Sequence, residues 1–161
     1  MRRWMLSKRD RKKLEEELAR FYPQYTLPKE AKVEYAIIED IELVIIDRLP
    51  AFIKIDDKYI PHLLYLLKKG YSWLPQIVVD SGAVKPISRG ADLMRPGIME
   101  IVGEFDTGTI VVILEPSRRL PIAVHRTLYD SRTIIGMERG RVSKRLHYVG
   151  DRYWKLADKL L

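Results

Sequence analysis

The chain has 161 residues, 47% of them hydrophobic, with 29 lysines and arginines against 22 acids and a formal charge of +7. That apolar content suffices for a core in one ordinary domain or two small ones and excludes disorder throughout, while the lack of cysteine excludes a disulfide framework, thiolate zinc sites and a cysteine nucleophile. The positive balance points to a polyanionic partner, and nucleic acid is favoured over membrane because runs such as 33–38 and 110–114 fall far short of the ~20 residues of a membrane helix.

Met1-Arg2-Arg3-Trp4-Met5-Leu6 begins like a secretory leader, but Ser7-Lys8-Arg9-Asp10 ends the apolar stretch, so the expected location is the cytosol. Ser7 with Asp10 resembles a capping box and predicts a helix from about Lys8 to Phe21, with Leu14, Leu18 and Phe21 as its buried stripe and Pro23 as its stop. From Lys32 the period changes to two, predicting strands at 33–38, 41–46 and 51–55 with turns at Glu39-Asp40 and Arg48-Leu49-Pro50. Pro61 reads as the first position of a helix through Leu63, Leu64, Leu66 and Leu67, closed by Lys68, Lys69 and Gly70. Tyr71-Ser72-Trp73-Leu74-Pro75 is a partly apolar joint, so the two halves are expected to pack rigidly. Beyond it short strands recur at about 77–79, 98–105, 109–114, 122–126 and 146–149, the texture of a small barrel or sandwich, with a final amphipathic helix in 153–161.

The stretch Val78 to Ile98 is the most informative. Asp80 is placed to cap a short helix, Gly90 to end it with positive φ, and Pro96-Gly97 to turn into the next strand. Lys85, Arg89 and Arg95 then cluster around exposed backbone, where Gly82, Gly90 and Gly97 let a phosphate or ribose approach closely and the cations supply charge and forked donors. Turn-making glycines and solvated cations would produce the same pattern without any ligand.

The ordered set Asp80-x-Gly82-Ala83-Val84-Lys85, Gly90-Ala91 and Met94-x-Pro96-Gly97-Ile98 resembles the signature of the PUA domain, an RNA-binding module of pseudouridine synthases and archaeosine transglycosylases. Thr107 to Ile113, Leu120 to Val124 and His147 to Trp154 resemble its later strands and closing segment. Two departures stand out: Pro86 interrupts the helix that usually follows Gly-Ala-Val-Lys, and Phe105-Asp106-Thr107-Gly108 replaces a common Gly-Asp. The basic first helix, the three β runs, Tyr59 to Leu67 and Leu74-Pro75 sit before this signature in an order similar to the malignant T-cell-amplified sequence and translation machinery-associated family. The resemblance implies an α+β fold, with a pre-PUA-like α/β domain over residues 1–74 and a PUA pseudo-β-barrel over 75–161. It implies binding to the acceptor end of tRNA, to rRNA or to the small ribosomal subunit during initiation, reinitiation or recycling. In eukaryotes a partner related to density-regulated protein supplies another domain. It also places Arg139, Arg141, Lys144 and Arg145 near the RNA groove, beside Gly82, Lys85, Arg89, Gly90, Arg95 and Gly97.

Arg2, Arg3, Lys8, Arg9, Arg11, Lys12 and Lys13 form a second basic cluster that adds to the field steering polyanions. No nucleophile with a base, acid pair, phosphate loop or local metal motif is visible, His62, His125 and His147 being scattered; no catalysis and no cofactor are expected. An accessory subunit of an RNA-modifying enzyme and a protein-interaction module docking through the Trp73 region remain as alternatives.

Overall fold

The computed structural model describes every residue from Met1 to Leu161 and arranges them around two sheets. The first is an antiparallel five-stranded meander of β1 (Arg2–Met5), β2 (Val33–Ile38), β3 (Ile41–Ile46), β4 (Leu49–Ile55) and β5 (Lys58–Pro61), in that order. Between β1 and β2 runs α1 (Lys8–Phe21), started by the Ser7 hydroxyl, which accepts from the Asp10 amide at 3.1 Å. Leu14 and Leu18 are buried as the stripe requires, but Phe21 is 42% exposed. The helix ends at Phe21, and the chain turns at Tyr22 (φ −133°), which swings the Tyr22 ring inward against Phe52 and Trp73 and lets its hydroxyl donate to the Tyr59 carbonyl.

Three local expectations are corrected here. β1 lies in what reads as a plain cation cluster, because its pairing with β2 (Trp4 opposite Tyr35) is long-range and leaves no local period. The β3–β4 turn is Asp47-Arg48, both with φ above zero (48° and 72°), as the two-residue hairpin matching strand twist demands; Leu49 and Pro50 belong to β4. Pro61 ends β5 opposite Phe52, and His62 caps α2 (Leu63–Lys69), its Nδ1 accepting from the Leu64 amide at 3.0 Å.

The second sheet comprises β6 (Gln76–Val79), β7 (Leu93–Met94), β8 (Ile98–Val102), β9 (Ile110–Leu114), β10 (Pro121–Thr127) and β11 (Arg141–Tyr148), in the order β7-β11-β10-β9-β6-β8. Only β6 and β9 run parallel, and a register shift between Val124 and His125 marks an irregularity as the sheet curls into a half-barrel. α3 (Ser81–Ser88) and α4 (Ser131–Gly136) close it, and α5 (Arg152–Leu156) with a 3-10 turn (Ala157–Lys159) ends the chain. Pro86 does not interrupt α3. In an eight-residue helix it forfeits one bond, to the Gly82 carbonyl, and the Asp80 cap offsets that loss. β11 begins five residues earlier than the apolar pattern suggests, since the buried Ser143 breaks the alternation.

One core joins the halves. Leu14, Leu18, Phe52 and Leu63 pack with Val78, Val112 and Val124 of the second sheet, and Trp73 packs at a tilt against Tyr25 at 4.6 Å between ring centres. A second core, with Ile77, Ile87, Ile113, Ile134 and Val142, fills the half-barrel under α3 and α4. The remaining face of the first sheet, built of Ala36, Ile38, Leu43 and Ile53, is covered by Leu156 and Leu160 from the far end of the chain. That terminal strap is pinned by Arg152 to Asp40 at 2.6 Å, Lys159 to Glu39 at 3.3 Å and Arg3 to the Leu160 carbonyl at 3.1 Å.

Candidate nucleic-acid interface

The Asp80 carboxylate accepts from the Ala83 amide at 2.9 Å and its own amide donates to the Gly97 carbonyl at 2.9 Å, so the start of α3 is tied to the 3-10 turn Arg95–Gly97. Gly97 allows that approach: a Cβ there would stand 3.0 Å from the Cβ of Ala83. Gly82 and Gly97 share the lining of an open depression of about 310 Å³ with Pro86, Asp92, Leu93 and Pro96. Lys85 and Arg89 stand exposed on α3 and its C-terminal cap, and neither makes an ion pair.

Gly90 ends the helix at φ +95°, and a Cβ there would come within 2.9 Å of the Tyr148 ring. Both the conformation and the space therefore require glycine. The Arg145 guanidinium lies over the same ring at 5.4 Å, while the Arg145 amide donates to Asp92 Oδ1 at 2.8 Å and Arg141 to Asp92 Oδ2 at 3.1 Å. Burial raises the Asp92 carboxyl, but the Arg145 amide and the Arg141 guanidinium outweigh it and hold the group below the ordinary carboxylate range. Asp92 is thus an anchor that fixes β11 against the glycine loop, a role without a local signal because its partners lie 49 and 53 residues away. Lys144 is exposed on β11 and Arg139 on the turn before it, where Gly140 has φ +102°.

Arg95 sits differently from the other cations. Its Nε donates to the Ile134 carbonyl at 2.8 Å and a terminal nitrogen to Ile135 at 3.4 Å, so the guanidinium caps the end of α4. Among the sequence-derived positions, Gly82 and Gly97 converge on one depression, Gly90 and Arg145 on the Tyr148 ring, and Arg141 with the Arg145 amide on Asp92. Lys85 and Arg89 are on the adjoining helix, and Arg95 is turned to a structural contact.

The histidines, distant in sequence, meet inside. His62 and His147 lie 4.8 Å apart between ring centres at the junction of the two sheets. The Leu63 amide donates to His147 Nε2 at 3.0 Å, leaving the proton on Nδ1 to donate to Asp151 at 2.8 Å; His62 Nε2 donates in turn to the Tyr153 carbonyl at 3.0 Å. Burial, with His147 nearby, pushes His62 down to about 3. His125, equally buried and 2.8 Å from the Ser143 hydroxyl, is likewise pushed down to about 3 by burial. All three are shielded from solvent and packed in the interior.

Comparison with known proteins places this geometry. The PUA domain model matches residues 75–149, and that of a domain of unknown function, DUF1947, matches 2–69. An uncharacterized protein of Methanocaldococcus jannaschii is 37% identical over 158 residues, covering 95% of each chain. Translation machinery-associated protein 20 of Saccharomyces cerevisiae is 28% identical over 138 residues, covering 81% of this chain and 76% of the yeast protein. The crystal structure of a PUA domain protein from Aeropyrum pernix, solved as a tartrate complex, superposes with a TM-score of 0.91 at 29% identity, over 98% of this chain and 91% of that one.

Proposed function

The chain belongs to the family of PUA-domain proteins that includes translation machinery-associated protein 20, and on that premise we propose that it is a non-catalytic RNA-binding factor of the translation apparatus. The observation that carries this reading is the rim formed by α3, the glycine loop and β11. There the uncommitted Lys85 and Arg89 border a glycine-lined depression, and Asp92 holds Arg141 and Arg145 at its edge. Such a rim grips a phosphate backbone by charge and shape, while the depression accepts an unstacked nucleotide. The ligands that best suit it are the single-stranded acceptor end of tRNA and the small ribosomal subunit, met in the cytosol.

The test is binding of the purified protein to small ribosomal subunits and to tRNA with an intact or truncated acceptor end, across a salt series. Salt-sensitive binding that needs the intact end supports the reading. With both Lys85→Glu and Arg89→Glu the affinity should fall for every RNA tested, and the salt slope should flatten by roughly 0.7 to 0.9 per cation. Unchanged affinity in that folded variant removes the rim from the interface. Capture of a transglycosylase or pseudouridine synthase in place of the subunit transfers the role to RNA modification.

A further inference from the structure

The cations of α1 are ordered against the interests of the helix. Lys8, Arg9, Arg11, Lys12 and Lys13 fill its first two turns, at the end where the positive pole of the helix dipole favours acids, while Glu15, Glu16 and Glu17 occupy its middle and Arg20 its last turn. Asp10 is the one acid of the first turn. Lys8 with Lys12 and Arg9 with Lys13 are also like-charge pairs four residues apart, which disfavour a helix. Arg11 accounts for itself: it donates to the Ala31 and Pro28 carbonyls at 2.6 and 2.7 Å and pairs with Glu15 at 3.3 Å, the only ion pair on the helix. Lys8, Arg9, Lys12 and Lys13 are exposed and have no carboxylate within pairing distance, although Glu16 and Glu17 stand one turn beyond Lys12 and Lys13. The exposed Arg2 lies in the strand that leads into the helix.

We propose that the first two turns of α1, with Arg2 beside them, form a second RNA-backbone contact on the N-terminal domain, separate from the α3–β11 rim. It rests on the reading of the chain as an RNA-binding protein. A lipid surface fits less well, because the apolar stripe of α1, Leu14 and Leu18, is consumed by the core, so the cationic turns themselves have no apolar face and only Met1, Trp4 and Met5, in and just before β1, are exposed beside them. Base stacking is not part of the contact. Trp4, 38% exposed, is flanked by the Arg2 guanidinium at 5.2 Å and the Tyr35 ring at 5.4 Å, which leaves the cations as the groups that meet a backbone. Because the two domains share one core, a polyanion held at both places meets them at a fixed separation.

The experiment compares the full chain, the fourfold variant Lys8→Gln, Arg9→Gln, Lys12→Gln, Lys13→Gln, and the Lys85→Glu, Arg89→Glu variant. Each is titrated with a stem-loop RNA carrying a single-stranded tail over a salt series, and its thermal unfolding is recorded. The fourfold variant should unfold no earlier than the parent, since its substitutions relieve repulsion. Its affinity at low salt should fall roughly tenfold or more, with the salt slope reduced by about 0.7 to 0.9 per cation removed. Parental affinity and slope in the fourfold variant, with weakened binding in the rim variant, overturn this inference and leave the proposed function standing. Weakened binding in the fourfold variant alone supports the α1 contact and moves the RNA site off the rim. Patch-dependent capture by phosphatidylserine vesicles with RNA affinity intact overturns it in favour of a membrane, and a parent that binds no RNA overturns both readings.

Discussion

At the junction between the two sheets, His62 and His147 are wholly buried and each ring nitrogen has a partner, whereas on the α3–β11 rim Lys85, Arg89 and Lys144 stand in solvent without an ion pair. The same class of polar side chain therefore serves opposite ends. Inside, a nitrogen without its hydrogen bond costs the full desolvation of that group, so the junction is specified atom by atom. Outside, solvation leaves the cations free for a ligand that brings its own charges. Fixing one region makes the other usable, because a rim grips a backbone only if the frame beneath it holds still.

That contrast is broken most severely at His147. His147→Ala strands the Leu63 amide and removes a donor from the buried Asp151, so urea unfolding should report a loss of roughly 3–5 kcal/mol, far beyond any rim substitution. Acid probes the same interior. Burial pushes His62 and His125 down from the ordinary 6.5 to about 3, so the fold disfavours their protonation. Their contribution is fully present well above pH 6.5 and is lost as the pH falls toward 3, by roughly 1.5 kcal/mol per histidine between pH 6.5 and 5. Denaturant midpoints across that window check it, and a flat profile would mean that the histidines are solvated. A smaller loss, about 1 kcal/mol, is expected of Arg95→Ala, whose hydrogen bonds to the end of α4 are structural, with RNA affinity little altered. Smallest is Arg141→Ala: the exposed pair with Asp92 should contribute under ~1 kcal/mol to stability, so any large effect on RNA affinity reports on the ligand. If Arg95 and Arg141 exchanged these behaviours, the division between frame and rim would be misplaced.

Much of the frame is legible where the cause is local. Ser7 and Asp80 announce their helices because a side-chain oxygen three residues from an amide is a local geometry, and Gly90 is readable because positive φ favours glycine. Of the first sheet, β2, β3 and β4 follow from their alternation and β-rich runs, whereas β1 and β5 do not. What stays hidden is long-range. β1 is invisible without β2, and His62 cannot be known to lie against His147 before the sheets are docked. Asp92 shows no sign of its hold on Arg141 and Arg145, and Arg95 looks like any loop cation until α4 arrives beneath it. The basic character of the surface could be seen from composition; which cations are already committed could not.

The terminal strap has a consequence for synthesis. Pro75 ends the joint, yet the outer face of the first sheet is covered only when Leu156 and Leu160 arrive, 81 and 85 residues beyond it. At ~5–20 residues per second the ribosome takes roughly 4 to 17 s to supply them. For that interval Ala36, Ile38, Leu43 and Ile53 have no cover from their own chain, which makes this face the part of the nascent protein most in need of a chaperone.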